Sequence, residues 1–356
     1  MSVNNWTVFG EPKPLIYGGS LRRSNVFNTL VQRTRARVVP RRSRIHTTIF
    51  KRWNSSINPL RRPGFAVATG LVTPHLFAPT RETVRWMAVD LHDHPVLQAK
   101  AMQVHLDEGV TQRRMSIWNA NVAMFETLIV PSTSFALYAG LTEERLLVIP
   151  NGTAMAGMPP LPFPDRPVIG MATGAARGRG IEDLIAAAEL VRQSIPDLEL
   201  NLWLAANDVT AEEYIGELRR LTARLPWVSI SSPKFNQVFQ ETSRASLMVI
   251  PHPPNEYMDV ALPVKLFDAF AIGRPVVATP RTETAQIIRS GGAGWVTEGD
   301  GVDALAETIT QALSSKSELA ARGQKGWELA QGQYNWKRLS EQVADVLLGK
   351  ASTPRV

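Results

Sequence analysis

The chain has 356 residues, 44% of them hydrophobic and none of them cysteine, and a formal net charge of +7. That length and composition hold two ordinary domains and exclude a disordered or fibrous chain. The missing thiols exclude a disulfide scaffold, a thiolate zinc site, an iron–sulfur cluster and a cysteine nucleophile. Charge is unevenly held: residues 1–62 carry 13 Lys and Arg against one acid, Glu11, a local +12, so the remaining residues carry −5. Such a field attracts polyanions, either nucleic acid or the anionic face of a bilayer; a basic face that only aids solubility is the plainer reading. Met1–Gly10 has no basic stretch leading into an apolar one, and no run of 18 apolar residues occurs. The expectation is a cytoplasmic protein, with a peripheral seat on the inner face of a membrane left open.

In the first half, PLIYGG, ARVV, FAVATG, RWMAVDL, TLIVP and LLVIP read as strands, with helical stretches between several of them. Residues 151–167, NGTAMAGMPPLPFPDRP, hold five prolines and two glycines. They sustain neither a helix nor a central strand, and so read as a linker between two domains, 1–152 and 153–356. From Pro167 strand and helix alternate: VIGMAT, the helix IEDLIAAAELVRQSI, LELNLWLA, the helix AEEYIGELRRLTARL, WVSIS, then FNQVFQETSRA, SLMVIP, the helix PVKLFDAFAIG, PVVATP, the helix TETAQIIRS and GWVTE. Helices near 303–313, 318–331 and 336–348 close the chain. This is an α/β pattern of parallel sheets with crossover helices. In the first of these helices Ile181, Leu184, Ile185, Ala188, Val191 and Ile195 keep a 3.6-residue period and make one buried stripe.

Three clusters bear chemistry. ATGAARGRG, residues 172–180, is a glycine-rich turn between a strand and a helix. Small residues such as Gly174 let backbone N–H groups approach a ligand, the helix N-terminus favours negative charge, and Arg177 and Arg179 add cations, so the turn suits a diphosphate. It matches neither the P-loop nor the dinucleotide fingerprint, and a purely structural turn fits the same residues. In ALPVKLFDAFAIGRPVVAT, residues 261–279, Pro263 suits a helix start and Gly273 its end, which puts Lys265 in the first turn with Asp268 three residues on. A lysine there opposes the helix dipole unless an anion binds, and Asp268 can accept from ribose hydroxyls; a plain Lys265–Asp268 helix pair is the alternative. In DLHDH, a strand would put Asp90, His92 and His94 on one face and Asp93 on the other, which invites a metal reading or a hydrogen-bonding one.

Together these segments resemble nucleotide-sugar glycosyltransferases of the GT-B fold, with two facing Rossmann-like domains, and within them the retaining family 4 enzymes (glycosyl transferases group 1). LLVIPNGT is similar to the end of that family's first domain, and VIGMATGAARGRGIEDLIAAAELV to the opening of its donor domain. ALPVKLFDAFAIGRPVVAT resembles its nucleotide-sugar segment, and YNWKRLSEQVADVLL the closing helix that crosses back to the first domain. The resemblance implies a nucleotide-diphosphate sugar as donor, UDP or GDP type undecided, with no cofactor and no metal. It implies that Arg179 and Lys265 contact the diphosphate and that Asp268, where glutamate is usual, holds the ribose. The amides of Ala261 and Leu262 would lie beside the sugar or its phosphate. Gly18 and Gly19, following PLIY, would form a loop facing the donor, and His92 and Asp93 would lie beside the donor sugar and acceptor. The family's earlier acidic partner falls on Val260, which cannot do that work; Asp259 is adjacent.

Retention follows from the resemblance: Arg179, Lys265 and the helix N-terminus after Gly180 stabilise the departing diphosphate, and one of its oxygens takes the acceptor proton. An inverting transfer would need a base, for which Asp93 is the candidate. Residues 22–62 point to a polyanionic acceptor or surface. IFKRWNSSINPLRR mixes Ile49, Phe50, Trp53 and Leu60 with Lys51, Arg52, Arg61 and Arg62, which suits an anionic membrane bearing a lipid-linked or glycan acceptor, the preferred reading. The same arginines suit DNA, as in an enzyme that glycosylates modified bases. A third reading, prompted by Val260, is a catalytically inactive nucleotide-sugar-binding protein.

Overall fold

The computed structural model describes residues 6–9, 18–35, 37–39, 64–74, 84–206 and 208–351. The predicted strand PLIY and the aromatic–basic stretch Ile49–Arg62 lie outside the described residues. In chain order the elements are β1 (Trp6–Phe9), α1 (Gly18–Thr34), β2 (Arg37–Val39), β3 (Gly64–Ala68), β4 (Val84–Asp90), α2 (Leu97–Ala101), α3 (Glu108–Met124), β5 (Thr127–Val130), α4 (Thr133–Tyr138) and β6 (Leu146–Val148). There follow β7 (Val168–Gly174), α5 (Ile181–Val191), β8 (Glu199–Ala205), α6 (Val209–Leu221), β9 (Val228–Ser231), α7 (Phe235–Thr242), β10 (Leu247–Ile250), α8 (Glu256–Val260) and α9 (Val264–Ala271). β11 (Val276–Ala278), α10 (Thr282–Gly291), β12 (Gly294–Val296), α11 (Val302–Leu313), α12 (Lys316–Gly332) and α13 (Trp336–Ala351) complete the chain. The described residues fall into two compact units: those within Met1–Ala99, His105–Pro150 and Trp336–Val356, and those within Lys100–Val104 and Asn151–Asn335. Both are the parallel-sheet α/β architecture that the strand–helix alternation predicts.

The first unit is built on a parallel sheet in the order β2-β1-β3-β4-β5-β6. Its core joins Val8, Phe27, Leu30, Val67, Met87 and Ile129 to Trp336, Leu339, Val343 and Leu347 of α13. Those α13 positions recur at helical spacing, so the helix buries one apolar stripe and keeps a polar back. Two polar contacts fix its register on α1: Thr29 Oγ1 donates to Ser340 Oγ at 2.9 Å, and Arg33 pairs with Asp345 at 2.7 Å.

The second unit orders its parallel strands β12-β11-β10-β7-β8-β9. The winding reverses between β7 and β10, and in open α/β sheets the crevice beyond the carboxyl ends of such a strand pair is where ligands bind. Ile181, Leu184, Ile185, Ala188 and Val191 of α5 are all buried. The helix ends at Val191 rather than at Ile195: Gln193 N and Ser194 N donate to Leu190 O and Val191 O in tighter turns, ahead of Pro196, which has no N–H to continue the helical ladder.

Residues 151–163 do not hang between the units as a loose tether; they strap the second one. Thr153 N donates to Tyr334 O at 2.8 Å and Leu161 N to Ile272 O at 3.4 Å. Prolines bring carbonyls without matching N–H groups, and Arg274 supplies the missing donors. Its fully buried guanidinium donates to the carbonyls of Leu161, Pro162, Ser243 and Ala245 and lies 4.5 Å from the Phe163 ring centroid. Burial pushes the Arg274 pKa down to about 10.

Candidate functional site

At the switch point of the second unit, Gly174 ends β7, and Ala175 N carries the ladder one step further by donating to Ala205 O at 2.9 Å. The chain then turns through Gly178 and Gly180, both at φ +74°, into α5, which no side chain caps. A β-carbon on Gly180 would sit 1.8 Å from the Pro251 carbonyl oxygen. Only glycine therefore lets the turn after β7 lie directly against the chain leaving β10, with the first amides of α5 open at its start.

The two arginines of this turn part company. Arg177 is half-exposed, lies 4.9 Å from the Tyr214 ring centroid, and pairs with Glu217 and, at 3.9 Å, with Glu182. Its charge is spent on carboxylates of α5 and α6, which corrects its expected place in the diphosphate cradle. Arg179 instead lies near His252, whose proton it repels. Arg177→Ala is expected to change UDP affinity less than threefold and stability by under about 1 kcal/mol, as for exposed ion pairs. Arg179→Ala should weaken UDP about tenfold, the size of one charge-assisted contact; calorimetric titration of the two variants separates them.

The helix α9 starts one residue later than the proline predicts: Pro263 is its N-cap and Lys265 its second residue. Lys265 Nζ donates to Asp268 Oδ2 at 3.0 Å, and Thr153 Oγ1 donates to Asp268 Oδ1 at 3.1 Å. The pairing considered as a plain helix pair is thus present, yet Asp268 is buried and tied to the strap as well. A carboxylate has about four lone-pair sites, so the ribose role still has acceptor capacity. Ala261 N donates to Tyr257 O at 2.9 Å and closes α8, which takes that amide from the sugar-phosphate role expected of it. Leu262 is buried, and its carbonyl accepts from Asn151 Nδ2 at 2.6 Å. Asp259 pairs with Arg281 at 3.0 Å; the other arm of Arg281 is bound to Asp300.

Composition and spacing gave no weight to His252. It follows β10, is 4% exposed, and its Nδ1 has no hydrogen-bond partner. Burial, then Arg179, then Arg281 bring its pKa down to about 3, so the imidazole is neutral. A lone polar residue among prolines after an apolar strand, SLMVIPHPP, is the signal that could have found it.

In the first unit the DLHDH cluster departs from the strand reading. β4 ends at Asp90, and residues 91–96 leave the sheet, so Asp90, His92 and His94 do not share a strand face. His94 Nδ1 accepts from Val96 N at 3.3 Å and Leu97 N at 3.1 Å, heading α2, with its ring 4.5 Å from that of Trp118. Burial lowers its pKa. Among the described residues no three His, Cys, Asp or Glu side chains gather as a metal site.

Asp90 is buried and bound in a fork by Arg22, whose Nε donates at 2.9 Å and 3.0 Å to its two oxygens; Arg22 Nη1 also donates to Ile149 O at 2.7 Å. Burial alone would raise the Asp90 pKa, but Arg22, and after it His92, hold it well below the usual carboxylate range. Arg22 is fully buried and neutralised, so it is no part of the surface field assigned to residues 22–62. His92 is buried, with Nδ1 3.4 Å from Asp90 and Nε2 3.0 Å from Arg23 Nη2. A guanidinium can only donate, so Nε2 accepts and the imidazole proton sits on Nδ1, facing Asp90. Asp93, partly exposed, lies 3.7 Å from Nε2. Gly18 and Gly19 open α1 rather than forming a loop, which corrects the expectation for them.

Residues 166–315 match the family described as Glycosyl transferases group 1. Among curated relatives, an exopolysaccharide phosphotransferase of Streptomyces coelicolor is 37% identical over 90 residues, 25% of this chain and 9% of that protein. A GDP-mannose-dependent alpha-(1-6)-phosphatidylinositol monomannoside mannosyltransferase of Mycobacterium tuberculosis is 30% identical over 93 residues, 26% of this chain and 24% of that protein. The chain thus aligns with only a minor part of either relative. Among solved structures, a sucrose-phosphate synthase from Thermosynechococcus elongatus superposes with a TM-score of 0.74 at 16% identity, covering 98% of this chain and 100% of the other. HepE of Anabaena, in complex with UDP and glucose, superposes at 0.65 and 16% identity, covering 98% and 99%.

Proposed function

From a chain that has the GT-B fold and carries a glycosyl transferases group 1 domain over residues 166–315, we propose a glycosyltransferase that moves a sugar from a nucleotide-diphosphate donor to an acceptor hydroxyl. The observation that carries this reading is the switch point of the second unit, where the Gly178–Gly180 turn, the open start of α5 and Arg179 meet the chain leaving β10. Backbone donors and a fixed cation at a strand end suit a diphosphate, and Lys265 near the start of α9 adds a second cation. The UDP bound to HepE and the GDP-mannose dependence of the mycobacterial relative support a donor of this class.

Both cations stabilise charge that develops as the sugar–oxygen bond breaks, so the transfer requires no metal and no protein nucleophile. The acceptor attacks from the face the diphosphate leaves, a phosphate oxygen takes its proton, and configuration is retained. His92, held as the Nδ1–H tautomer by Arg23, lies with Asp93 beside the sugar and the acceptor, where the exposed Asp93 carboxylate accepts from a hydroxyl. Asp268 accepts from the ribose. The acceptor is lipid-linked or a surface glycan at an anionic membrane, supported by the basic N-terminal sequence and by the phosphatidylinositol acceptor in the mycobacterial relative's name. Among the described residues no helix is long and apolar enough to cross a membrane.

The test is release of nucleoside diphosphate from UDP- and GDP-sugars, with and without phosphatidylinositol vesicles, and with duplex DNA across a salt series. Saturable release that vesicles accelerate is the expected result. Acceleration by DNA alone would replace the membrane acceptor with nucleic acid. Donor binding without turnover under all conditions would leave the nucleotide-sugar-binding protein.

A further inference from the structure

The backbone around the buried His252 is held on several sides. Pro251 before it and Pro253 and Pro254 after it restrict the backbone. The end of β11 pins it from the side: Thr279 Oγ1 donates to His252 O at 2.6 Å, and Thr279 N donates to Ile250 O at 3.3 Å. The residue before it touches the helix-opening turn, since only the absence of a β-carbon on Gly180 admits the Pro251 carbonyl. The backbone that carries His252 is therefore fixed from both sides at the place where the sheet reverses its winding, the place where open α/β sheets take ligands.

Nδ1 of this buried ring has no partner, and a buried polar atom left unmade costs about 1–3 kcal/mol. Two cations stand near it, Arg179 from the turn after β7 and Arg281 from the start of α10. Arg179 gives the stronger repulsion of the two, and Arg281 is bound to Asp259 and Asp300. A buried ring nitrogen with no partner, at a strand end flanked by two guanidinium groups, is an arrangement that an arriving anion completes.

We propose that His252 is a direct ligand of the donor's diphosphate, completing with Arg179 the anion site between β7 and β10. This rests on the nucleotide-sugar reading above and adds a residue to it. An anion beside the ring offsets the repulsion of Arg179 and Arg281 and favours the imidazolium, so diphosphate binding takes up a proton at His252. The sign follows: the bound-state pKa lies above the free one, and the affinity of the native protein relative to a His252 variant rises as pH falls through the bound-state value.

The experiment compares UDP, GDP and uridine binding to the native protein, H252Q and Lys265→Ala by calorimetry in buffers of different ionisation enthalpy near pH 6. H252Q is expected to weaken UDP and GDP about tenfold, to leave uridine unchanged, and to abolish most of the proton uptake. Equal UDP affinity and equal proton uptake in H252Q would overturn the proposal, as would an equal loss of uridine, which marks a packing role. In the native protein the His252 ring nitrogens should shift on adding UDP, an observation independent of whether H252Q folds; no shift also overturns it. A native protein that binds no nucleoside diphosphate defeats the donor reading itself. Binding that Lys265→Ala weakens and H252Q does not defeats this inference alone.

Discussion

Asp90→Ala is expected to destabilise the first unit by about 3–5 kcal/mol, the usual cost of stripping one partner from a buried ion pair. Arg22 is the reason. Its guanidinium has no exposure to water and would keep its charge against the carbonyl of Ile149 and the ring of Trp336, 5.7 Å away, with the Asp90 carboxylate gone. Replacing both members should cost less than removing either, so Arg22→Met with Asp90→Leu is expected to be more stable than Asp90→Ala. Denaturant unfolding of the three chains tests this, and a double variant no better than the single would sink it. The pair also sets a pH limit. Because the folded Asp90 pKa is depressed, its contribution is full above the unfolded carboxylate value of about 3.9 and is lost as pH falls below it. Acid unfolding of the native protein should therefore steepen below about pH 4, and that component should be missing from the double variant.

The largest effect on turnover is expected from Lys265→Ala, a loss of about 100-fold in kcat, comparable to removing one preorganised donor from a site of developing charge. If Lys265 served only Asp268, the variant would lose stability and keep its rate, since an i,i+3 pair contributes about 0.2–0.5 kcal/mol. Thr153→Val separates the two roles. It removes the other donor to Asp268 and so disturbs the carboxylate without touching the cation. Turnover near native in Thr153→Val beside a collapse in Lys265→Ala places the effect on the ammonium; equal losses in both would place it on Asp268 and the ribose.

Much of the fold is legible in the chain because strand and helix are set by short-range periodicity. The buried stripe of α5 and the alternation from Val168 to Val296 follow from residues within a few positions of one another. The glycine turn at Gly178 and Gly180 and the Lys265–Asp268 pair were readable for the same reason: the residues that make them are neighbours in sequence.

What only the tertiary structure decided is the partner of each charge. Arg22, counted among thirteen basic residues of an outward field, meets Asp90 across the sheet and leaves that field. His94, two residues beyond His92, turns from the strand face to cap a helix, because β4 stops at Asp90. The Ala261 amide closes α8 instead of facing a ligand. His252 gains its place only because β10 lies beside β7, so that Pro251 packs on Gly180. Strand order is fixed by which apolar faces bury together over the whole chain, and no local pattern in the sequence records it.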